Sequence, residues 1–206
     1  MRIGICFFLL LAVPAAGQTP AGNPSSGPAA TGGDSAGSAL GANDWAAGGP
    51  CRVAAEAAKP TRSQIRHCTA VIGRQGIAPP VRLAMLINRG IAQLKAHDPQ
   101  RAAADFDLAI RAAPDLAEAW INKGIALTRI DGRADEAAAL ISHGIELGPK
   151  EPARAYFARA QARELAGQLR AAMEDYAAAA KADPDWPAPG EELKRFRVER
   201  RKVLRG

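Results

Sequence analysis

Aromatic residues are scarce: Phe, Tyr and Trp make up 5% of the 206 residues, against 48% for hydrophobic residues as a whole. Much of the difference is alanine, the strongest helix former. Such a supply argues against a core of large interlocking rings and points to closely packed helices. Histidine is rarer still. His67, His97 and His143 stand far apart, and none has a second histidine or a cysteine three or four residues away, so no helical metal pair is set up. H-E-x-x-H, the phosphate loop and the Gly-rich dinucleotide fingerprint do not occur, and with them go the clearest signals for metalloprotease and nucleotide chemistry. The neighbouring acids Asp105 and Asp107, or Glu174 and Asp175, diverge around a helix rather than converge. The expectation is a protein that is not an enzyme and holds neither metal nor cofactor.

Long apolar runs are missing too, apart from one at the start. Met1-Arg2 is a positive beginning, Ile3 to Val13 is apolar, and Ala15-Ala16-Gly17 offers the small residues a signal peptidase reads. The run falls short of the roughly 20 residues that span a bilayer. Residues 1–17 are therefore expected to be a signal peptide and the location exported, periplasmic or secreted. Cys6 has no small-residue box before it, so a lipid anchor is not expected. Residues 18–50 are mostly Gly, Ala, Ser, Pro and Thr, too poor in buryable side chains to offset the entropy of ordering. They are expected to form a disordered linker whose one large side chain, Trp45, either docks on the folded part or stays in water.

Beyond the leader two cysteines remain, Cys51 and Cys68, separated by sixteen residues. An even count in an oxidising compartment reads as a disulfide, with two unpaired buried thiols as the alternative. The formal net charge of +6 is modest for this length. Export leaves little reason to expect nucleic acid, so the basic balance points at most to acidic partners or envelope polymers.

What is present is periodic. Thr61 caps an expected helix through Ile65, Cys68, Ala70 and Ile72 to Gly73, which Gly76 to Pro80 break. Beyond Val81 the chain repeats itself: residues 83–116, 117–152 and 153–186 align, the first and third 34 residues long and the second 36. Leu86, Trp120 and Tyr156 fall in phase, as do the small residues Gly90, Gly124 and Ala160, then Ala102, Ala137 and Ala172. Phe106, Ile141 and Tyr176 fall in phase behind them, and Pro114, Pro149 and Pro184 close each unit. Small residues let two helices approach, the large one fills the space between, and proline cannot continue a helix. A helix–turn–helix unit with this pattern resembles the tetratricopeptide repeat (TPR) family.

The resemblance implies an all-α fold, a right-handed TPR solenoid of antiparallel helix pairs. Three repeats would cover residues 83–186, preceded by an N-terminal capping or degenerate repeat segment at 51–80 and followed by a C-terminal basic capping helix at 190–206. Local signals support that register. Asp98-Pro99 is an N-cap followed by a first-turn proline, Asp115 with Glu118 has the spacing of a capping box, and Gly132 and Gly167 fall in the internal turns. One departure recurs. Where the family carries leucine before the small residue, this chain has Arg89, Lys123 and Arg159, expected to lay their stems over apolar surface with the charge in water.

In function the resemblance implies a scaffold that binds a peptide or helix of a protein partner in a concave groove. Carried onto this chain, the groove would be Ile87, Ile91 and Leu94, then Ile121, Ile125 and Thr128, then Phe157, Gln161 and Glu164, with Lys95, Arg129 and Arg154 nearby. Asn88 and Asn122 recur, but the isoleucines beside them favour an apolar groove over a carboxylate clamp. The linker around Trp45 or the C-terminal helix would be the intramolecular occupants. The alternative function is an envelope-surface protein held through its basic C-terminal helix to anionic lipid or polymer, with membrane contact at the surface only. N-terminal sequencing of exported protein is expected to begin near Gln18; retention of Met1 on the folded protein would contradict the signal reading.

Overall fold

The computed structural model describes the backbone of residues 49–203 and the side chains of residues 49–196. The expected signal peptide, nearly all of the linker including Trp45, and the basic side chains beyond Phe196 lie outside the described residues.

The described residues form nine helices and no strand. In chain order they are α1 (Gly49–Glu56), α2 (Arg62–Ile72), α3 (Pro79–Lys95), α4 (Pro99–Ala112), α5 (Ala117–Leu127), α6 (Ala134–Glu146), α7 (Pro152–Leu165), α8 (Leu169–Ala182) and α9 (Ala188–Val203). Each packs against its neighbours in the chain. In addition α1 lies on α3, α3 touches α5 and α5 touches α7. Among the described residues no helix is long and apolar enough to cross a membrane.

Local chemistry sets most of the boundaries. Thr61 opens α2 with a reciprocal cap: its hydroxyl accepts from the Gln64 amide at 3.2 Å, and the Gln64 side chain accepts from the Thr61 amide at 2.8 Å. Asp98 accepts from the Arg101 amide at 3.2 Å, with Pro99 as the first residue of α4. The box expected from Asp115 and Glu118 does not form. Leu116 is the N-cap of α5, without a side-chain bond, and buried Glu118 instead accepts from the Lys150 amide at 3.2 Å. A tertiary tie to the turn before α7 takes the carboxylate that the local cap would have used. Gly132 and Gly167 adopt φ of 74° and 76° in the turns between paired helices, the left-handed region that glycine enters without steric cost.

α1 falls where the linker was expected to end. It is short and alanine-rich, and it buries Cys51, Ala54 and Ala55. The Cys51 and Cys68 sulfurs stand at bonding distance, 2.07 Å, so a disulfide joins α1 to α2 and the unpaired-thiol alternative falls away. At the other end, α9 begins at Ala188, ahead of Gly190 rather than after it.

One buried cluster runs the length of the helices, from Ala55 through Ile87, Phe106, Ile121, Ile141, Phe157 and Tyr176 to Phe196. A smaller one surrounds the disulfide with Val71, Ile72, Met85 and Leu86. α3 contributes to both. The helices of a pair approach closely at the in-phase small residues: a Cβ at Gly90 would stand 2.7 Å from the Phe106 ring, and one at Gly124 would stand 2.8 Å from the Ala137 carbonyl oxygen. Gly124→Ala is therefore expected to destabilise by about 1–3 kcal/mol, the usual cost of overpacking, read as a lower urea midpoint at unchanged slope.

Candidate functional site

The basic residues Arg89, Lys123 and Arg159 are joints of the fold. Arg89 on α3 donates from Nε and Nη2 to both carboxylate oxygens of Asp105 on α4, at 2.8 and 2.6 Å. Its Nη1 reaches the Thr69 hydroxyl on α2 at 3.2 Å. Arg159 on α7 repeats the arrangement with Asp175 on α8, at 2.9 and 2.7 Å, and with the Ser142 hydroxyl on α6 at 3.1 Å. Each fork thus ties three helices. The middle unit has Leu140 in place of the acid and lysine in place of arginine, and Lys123 turns to Asp107 on α4 at 2.6 Å. The expectation of charges kept in water is corrected for the two arginines. Their side chains are 14% and 16% exposed and the paired aspartates 5%, because a bidentate carboxylate lies within reach of each guanidinium.

The apolar residues expected to line an open groove are enclosed. Ile87, Ile91, Leu94, Ile121, Ile125 and Phe157 are all buried, none more than 8% exposed. Ile121 lies against α6: a Cβ at Gly144 would stand 2.6 Å from its Cγ1. Phe157 meets Tyr176 edge-on with centroids 5.2 Å apart and Trp186 at 4.9 Å. Alanine and glycine at the interhelical positions bring the helices together, so the larger side chains beside them join the core. Asn88 and Asn122 are buried with them.

The cations expected beside the groove close helix ends. Lys95 donates to the carbonyls of Ala55 at 2.5 Å and Ala57 at 3.3 Å, where α1 finishes. Arg129 donates to the Leu94 carbonyl at 2.8 Å, in the last turn of α3. Both set a positive charge at a helix carboxyl terminus. Burial pulls the Lys95 ammonium below its ordinary pKa against the opposing charge of Glu56, and burial alone lowers Arg129. Arg154 pairs with Glu151 and its guanidinium carbon lies 5.5 Å from the Trp186 ring centroid. With Thr128, Gln161 and Glu164, these three cations keep partial exposure.

The last unit carries a network that sequence reading missed. The Glu164 carboxylate accepts from Arg195 Nη2 on α9 at 2.7 and 2.8 Å and from the Tyr176 hydroxyl at 3.0 Å. Arg195 also bonds Glu192 at 2.7 Å and lies 4.7 Å from the Phe196 ring centroid. Burial, and then the charges of Glu164 and Glu192, push the Tyr176 hydroxyl above the usual tyrosine range. This is an ionic and aromatic seat for α9.

Among the described residues no group of three or more His, Cys, Asp or Glu is placed to hold a metal ion. Exposed His143 stacks edge-on with Trp120 at 4.5 Å and faces Glu146 at 3.9 Å. The string Gly33-Asp34-Ser35-Ala36-Gly37 carries the letters of a nucleophile elbow, but it lies outside the described residues. No protein-family model matches the chain, and no curated protein matches it.

Burial distinguishes the groove residues by experiment. Ile121→Glu is expected to destabilise by about 4 kcal/mol through an unpaired buried charge, whereas Gln161→Glu at a partly exposed position should stay within about 0.5 kcal/mol of wild type. Thermal melts of the two variants followed by circular dichroism make the comparison.

Proposed function

We propose that the chain is an exported, non-catalytic scaffold of the tetratricopeptide type, a right-handed array of antiparallel helix pairs that holds a peptide or helix of a protein partner. The observation that carries this reading is the recurrence of one joint at one repeat position. Arg89 and Asp105 in one unit correspond to Arg159 and Asp175 in another, and each arginine also reaches a hydroxyl on the helix before, Thr69 or Ser142. Repeated units that share a joint share an orientation, which is what stacking of like pairs requires. The disulfide is compatible with an oxidising, exported location.

The face offered to a partner is the side on which α3, α5 and α7 follow one another. Its isoleucines are enclosed, so recognition falls to the partly exposed polar groups: Thr128, Gln161 and Arg154, with Lys95 and Arg129 fixing the helix ends behind them. Such a surface selects by hydrogen bonding and charge, and each contact contributes about 0.5–1.5 kcal/mol. A photo-crosslinking residue at Thr128 or Gln161 is expected to trap a protein partner, while the same group at Arg101, on the exposed side of α4, should not. Equal adducts from all three positions, or adducts from Arg101 alone, would remove the partner from this face.

A further inference from the structure

Charge is segregated along the helices. Residues 49–82 hold six cations (Arg52, Lys59, Arg62, Arg66, Arg74 and Arg82) against the single acid Glu56, a net of +5. Residues 83–190 hold thirteen cations against fifteen acids, a net of −2. We propose that the outer face of α2 is a docking surface for an anionic phospholipid bilayer, independently of the partner face above.

The argument rests on where the arginines stand. Several exposed cations elsewhere pair with an acid three or four residues away, as in Arg101–Asp98, Arg133–Glu136 and Arg170–Glu174. α2 contains no acid at all, and Lys59, Arg62 and Arg66 make no ion pair among the described residues. Thr61 is the N-cap, so Arg62 is the first residue of the helix and Arg66 follows one turn later on the same side. The amino-terminal end of a helix disfavours cations. Arg62 is therefore placed against the preference of its own helix, and solvation of an outer helix would be served as well by acids. α2 turns Cys68, Val71 and Ile72 inward and leaves Arg62, Ser63, Arg66, His67 and Ala70 exposed. A single helix face with arginines one turn apart fits an extended plane of phosphates, which the guanidinium fork engages through paired hydrogen bonds.

Full-length mature chain is mixed with phosphatidylcholine vesicles, with or without about one third phosphatidylglycerol, and sedimented at low and high salt. Wild type should sediment with the anionic vesicles only, and release as salt rises. Arg62→Gln with Arg66→Gln should lower the partition coefficient by about twenty-five-fold, at roughly fivefold per arginine, with the melting temperature retained. Absence of binding to the anionic vesicles, or an unchanged partition of the double variant, overturns the proposal. So does loss of binding in Arg200→Gln with Arg201→Gln while the α2 variant binds normally, which would move the contact to α9. Retention on immobilised polyglutamate without vesicle binding would make an acidic protein the partner and overturn it equally.

Discussion

The arrangement of helices depends on an arginine that satisfies three demands at once. Arg89 and Arg159 each close a bidentate pair with the second helix of their own unit and spend a further donor on a hydroxyl from the unit before. A buried ion pair is a poor source of net stability, since desolvation consumes most of the Coulombic gain, yet losing one partner strands a charge. The fork therefore acts chiefly on geometry. A shift of either neighbouring helix breaks at least one of these bonds. The middle unit shows the alternative: with Leu140 in the acid's place, Lys123 turns back to Asp107 and links only two helices.

A good part of this was legible in the chain. The phase of Gly90, Gly124 and Ala160, the caps at Thr61 and Asp98, and the left-handed glycines of the turns follow from local rules and reappear in the structure. The forks left a trace as well, because Arg89 to Asp105 and Arg159 to Asp175 share one spacing of sixteen. α1 left only its cysteine: beyond the expected bridge to Cys68, its hold comes from Lys95, which donates to carbonyls 38 and 40 residues back in sequence. Glu118 was misread for a related reason, since its partner is 32 residues away.

The residues named for the candidate site lie on or beside α3, α5 and α7, and the burial of the apolar ones was not legible. Whether an isoleucine there faces water depends on how near the next helix comes. That distance is set by Gly144 opposite Ile121, and by Trp186 against Phe157, neither of which a repeat template contains. Polar residues at the margins, Thr128 and Gln161 among them, carry little periodic signal and become visible only once the helices are placed.

The two ends of the array are secured by different chemistry. α1 is fastened through a covalent bond between Cys51 and Cys68, and α9 through Arg195 on Glu164 with Phe196 against Tyr176. Ions weaken the second and leave the first untouched; a thiol reductant attacks only the first. Fraying is therefore directional, and the solvent chooses the direction. Strong salt is expected to loosen the carboxyl-terminal helix, and reduction the amino-terminal one.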